Sequence, residues 1–346
     1  MSGHKNNTLT DGNVGKALLI IALPIIISNM LQTVLEVVDM HFIGELGDTS
    51  IAGGTLSVSV IMVLTTVLMG IVTATAAFVS RAYGSEKYER IQVVLAHAIY
   101  LGLIISVILA VIGFFWSEDI LYFMSQGDAA LASEGAKFLR PALMGTVIMM
   151  LLMTLTTVFQ STGDSRTPMF VMVGVNIVNI ILNPTLIQGL WIFPEFGLAG
   201  SAYASLSSRA VGVILLILCM YYLPKHKNGP IKFPKKFIFE PHLVRDIFVI
   251  AIPSAVQSGI RSFAMVLMMV IIAAYGEAAI AAYGICIRLD MLGLIVAMGL
   301  CSGVAVMVGQ NLGANKPDHG KASDTALHSR RDCDNKKYRV QDAARR

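Results

Sequence analysis

The chain has 346 residues, 55% hydrophobic and 14% charged, with a formal net charge of +4 and a mean hydropathy of +0.70. That composition excludes a soluble domain and describes an integral membrane protein. No alternating strand pattern runs through it, which excludes a barrel and leaves helices to satisfy the backbone in lipid.

Crossing the hydrocarbon core as helix takes about 20 apolar residues. Segments 16–40, 51–79, 92–115, 138–160, 168–188, 198–223, 244–273 and 278–309 qualify, predicting an all-α fold of eight transmembrane helices. Residues 1–15 are polar and run straight into the first span, which is too long for the apolar core of a cleavable signal peptide. Cys219, Cys286 and Cys301 fall inside apolar spans as small hydrophobes, and Cys333 in a polar tail.

The connections alternate in charge. Segments 41–50, 116–136, 188–198 and 274–277 contain acids such as Glu45, Asp48, Glu118, Asp119, Glu195 and Glu277 but no Lys or Arg. The other connections carry Arg81, Lys87 and Arg90, then Arg166, then Lys225, Lys227, Lys232, Lys235 and Lys236, then Lys316. The positive-inside rule puts the basic loops and the N-terminus on the cytoplasmic side. The basic run 224–236 is thereby read as an inter-lobe linker, with no nucleic-acid partner.

The stretch from Lys16 to Gly84 recurs without a gap 229 positions later: Ala22 as Ala251, Pro24 as Pro253, Gly47 as Gly276, Gly70 as Gly299 and Gly84 as Gly313. A parallel repeat of several spans is how many secondary transporters build two lobes. The expected organisation is a six-helix lobe at 1–223, a cytoplasmic linker at 224–243 punctuated by Pro224, Pro230, Pro234 and Pro241, and a two-helix partial lobe at 244–317. An aberrant, disordered polar tail is expected at 318–346. Residues 320–344 stand where the first copy has its third span, yet carry Arg330, Arg331, Asp332, Asp334, Lys336 and Lys337, which no span tolerates. The sequence-based expectation is a truncated second copy, unable by itself to close a cavity from both sides; the alternative is a natural disordered basic tail on an eight-helix protein.

Val38-Asp39 with Gly44-Glu45-Leu46-Gly47, the loop from Gln160 to Pro168, the run Asn179-Ile180-Ile181-Leu182-Asn183-Pro184, the element Gly197–Ala202 and Gly309–Ala314 together resemble the multidrug and toxic compound extrusion (MATE) family. The likeness covers about 14 to 317 in order and is closer to the DinF-like prokaryotic branch. Where the NorM-like pattern has a glutamate in the seventh span, Gln257 and Arg261 stand here. The resemblance implies a cation-coupled antiporter, driven by H⁺ or Na⁺ and using no other cofactor. It would export amphipathic organic cations by alternating access, as a monomer among membrane lipids.

Asp39 is the first candidate for ion coupling. A carboxylate in a transmembrane helix costs about 2.5–3.5 kcal/mol on insertion scales and persists where it meets water, a partner or an ion. Its repeat counterpart is Met268, so the fold itself requires no acid there. Asn29, Gln32, Glu36 and Asp39 recur at three- and four-residue spacing as one polar stripe. Glu36 is the second candidate for coupling, or alternatively a packing partner of Arg209 or Arg261; Asn29 and Gln32 are candidates for the substrate cavity. Asn176, Asn179 and Asn183 share a face of the fifth span, and the resemblance implies that this face meets Asp39: Asn179 and Asn183 as cation ligands, Asn176 in the substrate cavity. Some related transporters carry an aspartate where Asn183 stands, so a relay of two carboxylates is in doubt here, while neutral oxygens for Na⁺ or water remain. Pro24 offers a kink in the first span.

Arg288 and Asp290 are too close in sequence to face each other, His41 and His97 lack metal spacing, and Asp164 with Arg166 suits a turn brace. Met149, Met150, Met153, Met265, Met268 and Met269 fit an adaptable cavity or plain packing equally. A lipid-linked oligosaccharide flippase is the alternative transporter, although it would want more cationic residues than Arg209 in the first lobe. Major-facilitator proteins carry a Gly-x-x-x-Asp-Arg run that Ser80–Arg90 lacks. An intramembrane enzyme finds no His-Glu-x-x-His or Gly-x-Ser-x-Gly motif.

Overall fold

A computed structural model of the chain describes residues 14–190, 193–223, 231–232, 239–273 and 277–315. The regular elements among them are all helices: α1 (Val14–Gly44), α2 (Asp48–Gly84), α3 (Tyr88–Met124), α4 (Ala129–Met144), α5 (Thr146–Ser161), α6 (Arg166–Ile187), α7 (Leu198–Tyr222), α8 (Pro241–Ala273) and α9 (Glu277–Gly313). Among the described residues seven helices are long and apolar enough to cross a membrane, or eight if α4 and α5, bent by 48° at their junction, count as one span. Most of the 224–243 linker and all of 316–346 lie outside the described residues. The linker ends earlier than expected, because Pro241 opens α8, where its missing N–H costs nothing.

The fourth crossing differs from its predicted span of 138–160. The α3 helix runs to Met124 and α4 begins at Ala129, so the expected 116–136 loop is a turn at 125–128. Thirty-seven residues of α3 extend about 55 Å against a hydrocarbon core of about 30 Å, so its polar end stays helical beyond the lipid tails. Asp128 then caps α4, its carboxylate accepting from Leu131 N at 3.0 Å. The bend falls at Gly145, whose N–H donates to the carbonyl of Pro141 at 2.9 Å.

Side-chain bonds sort the connections into two ends. Gln188 Nε2 donates to Glu45 Oε2 at 2.9 Å and Ser50 Oγ to Glu134 Oε1 at 3.2 Å, gathering the acidic turns. Lys137 and Arg140 also lie toward this end, held by Glu134 at 2.6 Å and Glu118 at 3.2 Å. The acidic end is therefore less free of basic groups than the loops alone suggest. At the opposite, basic end Arg90 pairs with Glu240, and Gln310 Nε2 donates to the Ser161 carbonyl at 2.8 Å.

Within the spans, hydroxyls bond back to the preceding turn: Ser57 to Gly53 O, Thr65 to Ile61 O and Thr75 to Ile71 O, at 2.7–2.8 Å. Away from water these hydroxyls need a protein acceptor, and Ser57 also reaches the Gly135 carbonyl of α4 at 2.9 Å. The main apolar core joins α2, α3, α5, α6 and α7 through residues such as Leu68, Leu95, Phe159, Val175 and Leu216.

The 229-residue repeat reappears as a pattern of contacts. α2 packs on α8 through Gly70 against Ala251, and α9 packs on α1 through Gly299 against Ile26 and Gly303 against Ala22. Gly299 and Ala251 are the repeat counterparts of Gly70 and Ala22. Between these pairs α2 meets α9 in a self-matching contact: Gly84 lies on the Gln310 carbonyl, and Gly313 lies on that of Arg81, the repeat counterpart of Gln310. A β-carbon at either glycine would overlap backbone.

Overpacking of this kind costs about 1–3 kcal/mol or more. Gly84→Leu and Gly313→Leu are each expected to lower the thermal unfolding midpoint in detergent. Gly259→Leu, where nothing lies within 4 Å, serves as the control that leaves it unchanged. Equal midpoints for all three would contradict the packing of α2 on α9.

Candidate ion site and adjoining polar face

Asp39 sits one turn before the end of α1, and its side chain points into the bundle against α6 and α7 rather than toward lipid. It is 9% exposed, and its contacts Asn179, Asn183 and Ser205 are 0–5% exposed. Asn179 Nδ2 donates to Asp39 Oδ1 at 3.0 Å and Asn183 Nδ2 to the same oxygen at 2.8 Å. Ser205 Oγ donates to Oδ2. The two amides are linked in turn, Asn183 Nδ2 to Asn179 Oδ1 at 3.0 Å, and Asn179 Nδ2 also reaches Ser205 Oγ at 3.3 Å. The i, i+4 spacing of the asparagines on α6 stacks them along one face, so a single carboxylate oxygen meets both.

Three donors of neutral side chains thus surround the carboxylate, and among the described residues no Lys, Arg or His is ion-paired to it. Three buried acceptors nearby on the same elements have no hydrogen-bond partner: Asn176 Oδ1, Asn183 Oδ1 and Ser201 Oγ, the last one turn before Ser205 on α7. Oxygens of this kind suit a hard monovalent cation or a water network. Among the described residues no three His, Cys, Asp or Glu side chains gather as transition-metal ligands.

The other predicted site residues separate from this cluster. Asn176 is buried on α6, but its amide donates to its own helix at Met172 O, 2.9 Å away. Glu36 is exposed, bonded to Gln32 Nε2 at 3.3 Å, and among the described residues no ion pair joins it to Arg209 or Arg261. Asn29 and Gln32 are half-buried. The three extend a particular face of α1: Leu18, Ala22 and Ile25 pack on α9, and the same stripe continues as Asn29, Gln32 and Glu36. Toward the acidic end Gly259 of α8 and Gly293 of α9 have no neighbour within 4 Å. The α1 face thus changes from apolar contact to uncovered polar wall past Ile25.

Ser205 was not anticipated. Its signal was the serine stripe Ser201, Ser205 and Ser208 at helical spacing in an apolar span. His97 proves structural: Nδ1 lies 2.8 Å from Val93 O and Nε2 accepts from Glu240 N at 2.9 Å, fastening the entry to α8. Asp164 braces the start of α6 by accepting from Thr167 N at 3.3 Å and Thr167 Oγ1 at 2.7 Å. Met150 belongs to the apolar core. The side chains of Arg288, Met265 and Met269 lie outside the described residues.

An all-helical, multi-span bundle with an internally satisfied carboxylate is the build of a membrane transporter. The MatE family model matches residues 24–185 and 253–323, and the chain belongs to that family, the MATE transporters. It is 28% identical over 314 residues to the probable multidrug resistance protein YoeA of Bacillus subtilis, covering 89% of this chain and 67% of that protein. It is 28% identical to an FAD transporter of Shewanella oneidensis (90% and 68% covered) and 27% identical to the multidrug export protein MepA of Staphylococcus aureus (88% and 66%). The chain thus spans about two thirds of the length of these relatives. Among solved structures it is similar to a MATE in the bent conformation, with a TM-score of 0.81 at 23% identity over 92% of this chain and 70% of that one. A MOP-superfamily transporter from Pyrococcus furiosus matches with a TM-score of 0.81 at 22% identity, over 93% and 70%. At that identity the likeness fixes the fold.

Truncating Asp39 strands three buried donors, each costing about 1–3 kcal/mol. Asp39→Ala is expected to lower the thermal midpoint well below that of Asp39→Asn, which keeps an oxygen in place. Equal midpoints for the two variants would show that the carboxylate does not organise the cluster.

Proposed function

We propose that the chain is the ion-coupling part of a MATE antiporter in a bacterial cytoplasmic membrane, N-terminus inside, exporting amphipathic organic cations against an inward flow of H⁺ or Na⁺. The observation that carries this reading is the buried Asp39 carboxylate, met by Asn179, Asn183 and Ser205 without a basic partner. A proton or Na⁺ arriving there would compete with these three donors for the carboxylate oxygens. With Asn183 in place of an acid, the cluster holds one carboxylate, so a single cation per cycle fits best.

Both halves of the coupling lie on α1. One face carries Asp39 into the bundle, and the neighbouring face carries Asn29, Gln32 and Glu36 along the uncovered wall past Ile25. Neutralising Asp39 would loosen the inward anchor of α1 and shift how that wall faces α8 and α9. Glu36 would attract a cationic substrate, and this acid also argues against a pyrophosphate-bearing lipid as cargo. Asn176, packed on its own helix, fits second-layer support of the asparagine ladder better than substrate contact. The six-helix unit at 1–223 and the two helices that follow the linker are taken as parts of two lobes that rock about the α2–α9 contact. The chain is read as a monomer that uses no nucleic acid and no cofactor beyond its coupling ion.

The test combines ethidium accumulation in a pump-deficient host with ²²Na⁺ binding and proton uptake by purified protein. Asp39→Asn is expected to abolish ion binding and raise accumulation to the vector level. Glu36→Gln should leave ion binding intact and weaken only the efflux of cations. Ion binding that survives Asp39→Asn would sink the assignment.

A further inference from the structure

At the acidic end, on the outside of the bundle, the last turns of α3 and the first turns of α4 enclose a pocket of about 260 Å³. Phe115, Glu118, Asp119 and Tyr122 line it from α3, and Arg140 with two alanines from α4. The volume falls below the roughly 300–1,000 Å³ of drug-sized sites. It belongs neither to the Asp39 cluster nor to the polar face of α1.

Its charges are both present and unequal. Arg140 Nη2 donates to Glu118 Oε2 at 3.2 Å, which leaves the other guanidinium N–H groups available. No ion pair among the described residues involves Asp119. The site thus offers an anion binder and a spare carboxylate side by side, with two aromatic rings as walls. That is complementary to a small zwitterion whose acidic and basic groups are a few bonds apart.

Its depth is equally specific. The apolar part of α3, residues 92–115, is about 36 Å long as helix, so Glu118 and Asp119 stand one turn beyond the hydrocarbon. Phe114, Phe115, Trp116, Tyr122 and Phe123 are all at least half exposed around them, the aromatic belt of a headgroup layer. Directly below, Ile104, Val107, Ile108 and Val111 are exposed along α3, an apolar track leading away from the pocket.

We propose that this pocket holds the headgroup of a phosphatidylethanolamine-type lipid, its phosphate on Arg140, its ammonium on Asp119 and Glu118, and its chains along α3. A phosphatidylglycerol headgroup lacks the ammonium and meets two carboxylates. The trimethylated ammonium of phosphatidylcholine has no N–H to donate to them.

Trp116 lies beside the pocket, and the chain has one further tryptophan, Trp191. In a Trp191→Phe background, nanodiscs containing bromine-labelled phosphatidylethanolamine are expected to quench Trp116 more strongly than equal amounts of bromine-labelled phosphatidylcholine or phosphatidylglycerol. Arg140→Gln and Asp119→Asn should each remove that excess, the second without touching the Arg140–Glu118 pair. Equal quenching by the three lipids, or an excess that survives in both variants, overturns the proposal. Soluble phosphoethanolamine binding in calorimetry with no lipid preference would also overturn it, by assigning the pocket to a free zwitterion.

Discussion

Hydrocarbon offers no hydrogen bonds, and many polar groups in the described spans find their partners within the protein. Ser57, Thr65 and Thr75 turn their hydroxyls onto the preceding carbonyls of their own helix. Asp39 has no such local option, since a carboxylate cannot donate. It draws donors from two other helices, and this fixes the rotation of α1 against α6 and α7. The same requirement explains why the cluster is asparagine and serine rather than arginine. Neutral donors satisfy the acid, and among the described residues no basic side chain is ion-paired to it.

The spans themselves were legible in the sequence, because about 20 apolar residues in a row have few other uses. Their ends were less so. Trp116 to Ala136 reads as a polar loop until α3 is seen to project past the hydrocarbon, where helical geometry continues without any need for apolar residues. The bend at Gly145 was hidden for a related reason: hydropathy measures lipid compatibility and is blind to direction.

The site was half legible. Helical spacing placed Asn179 and Asn183 together, and the family resemblance supplied their partner. Glu36 and Asp39 looked equivalent on one stripe, yet three residues separate them by about 60° around the helix. That angle is enough to send one into the bundle and leave the other on the uncovered face. Ser205 escaped because serines in an apolar helix ordinarily bond backwards, and only the tertiary approach of α7 to α1 gives it another acceptor.

The contact between α2 and α9 is built from equivalent positions on both sides, Gly84 against Gln310 and Gly313 against Arg81. An interface of that form is isologous, the geometry by which two identical subunits associate about a twofold axis. Tethering such a pair in one polypeptide frees each half from having to suit both places at once. Position 39 shows the outcome, an aspartate in one copy and, at 268, a methionine in the other. The two copies keep the symmetry at this packing contact and lose it at position 39.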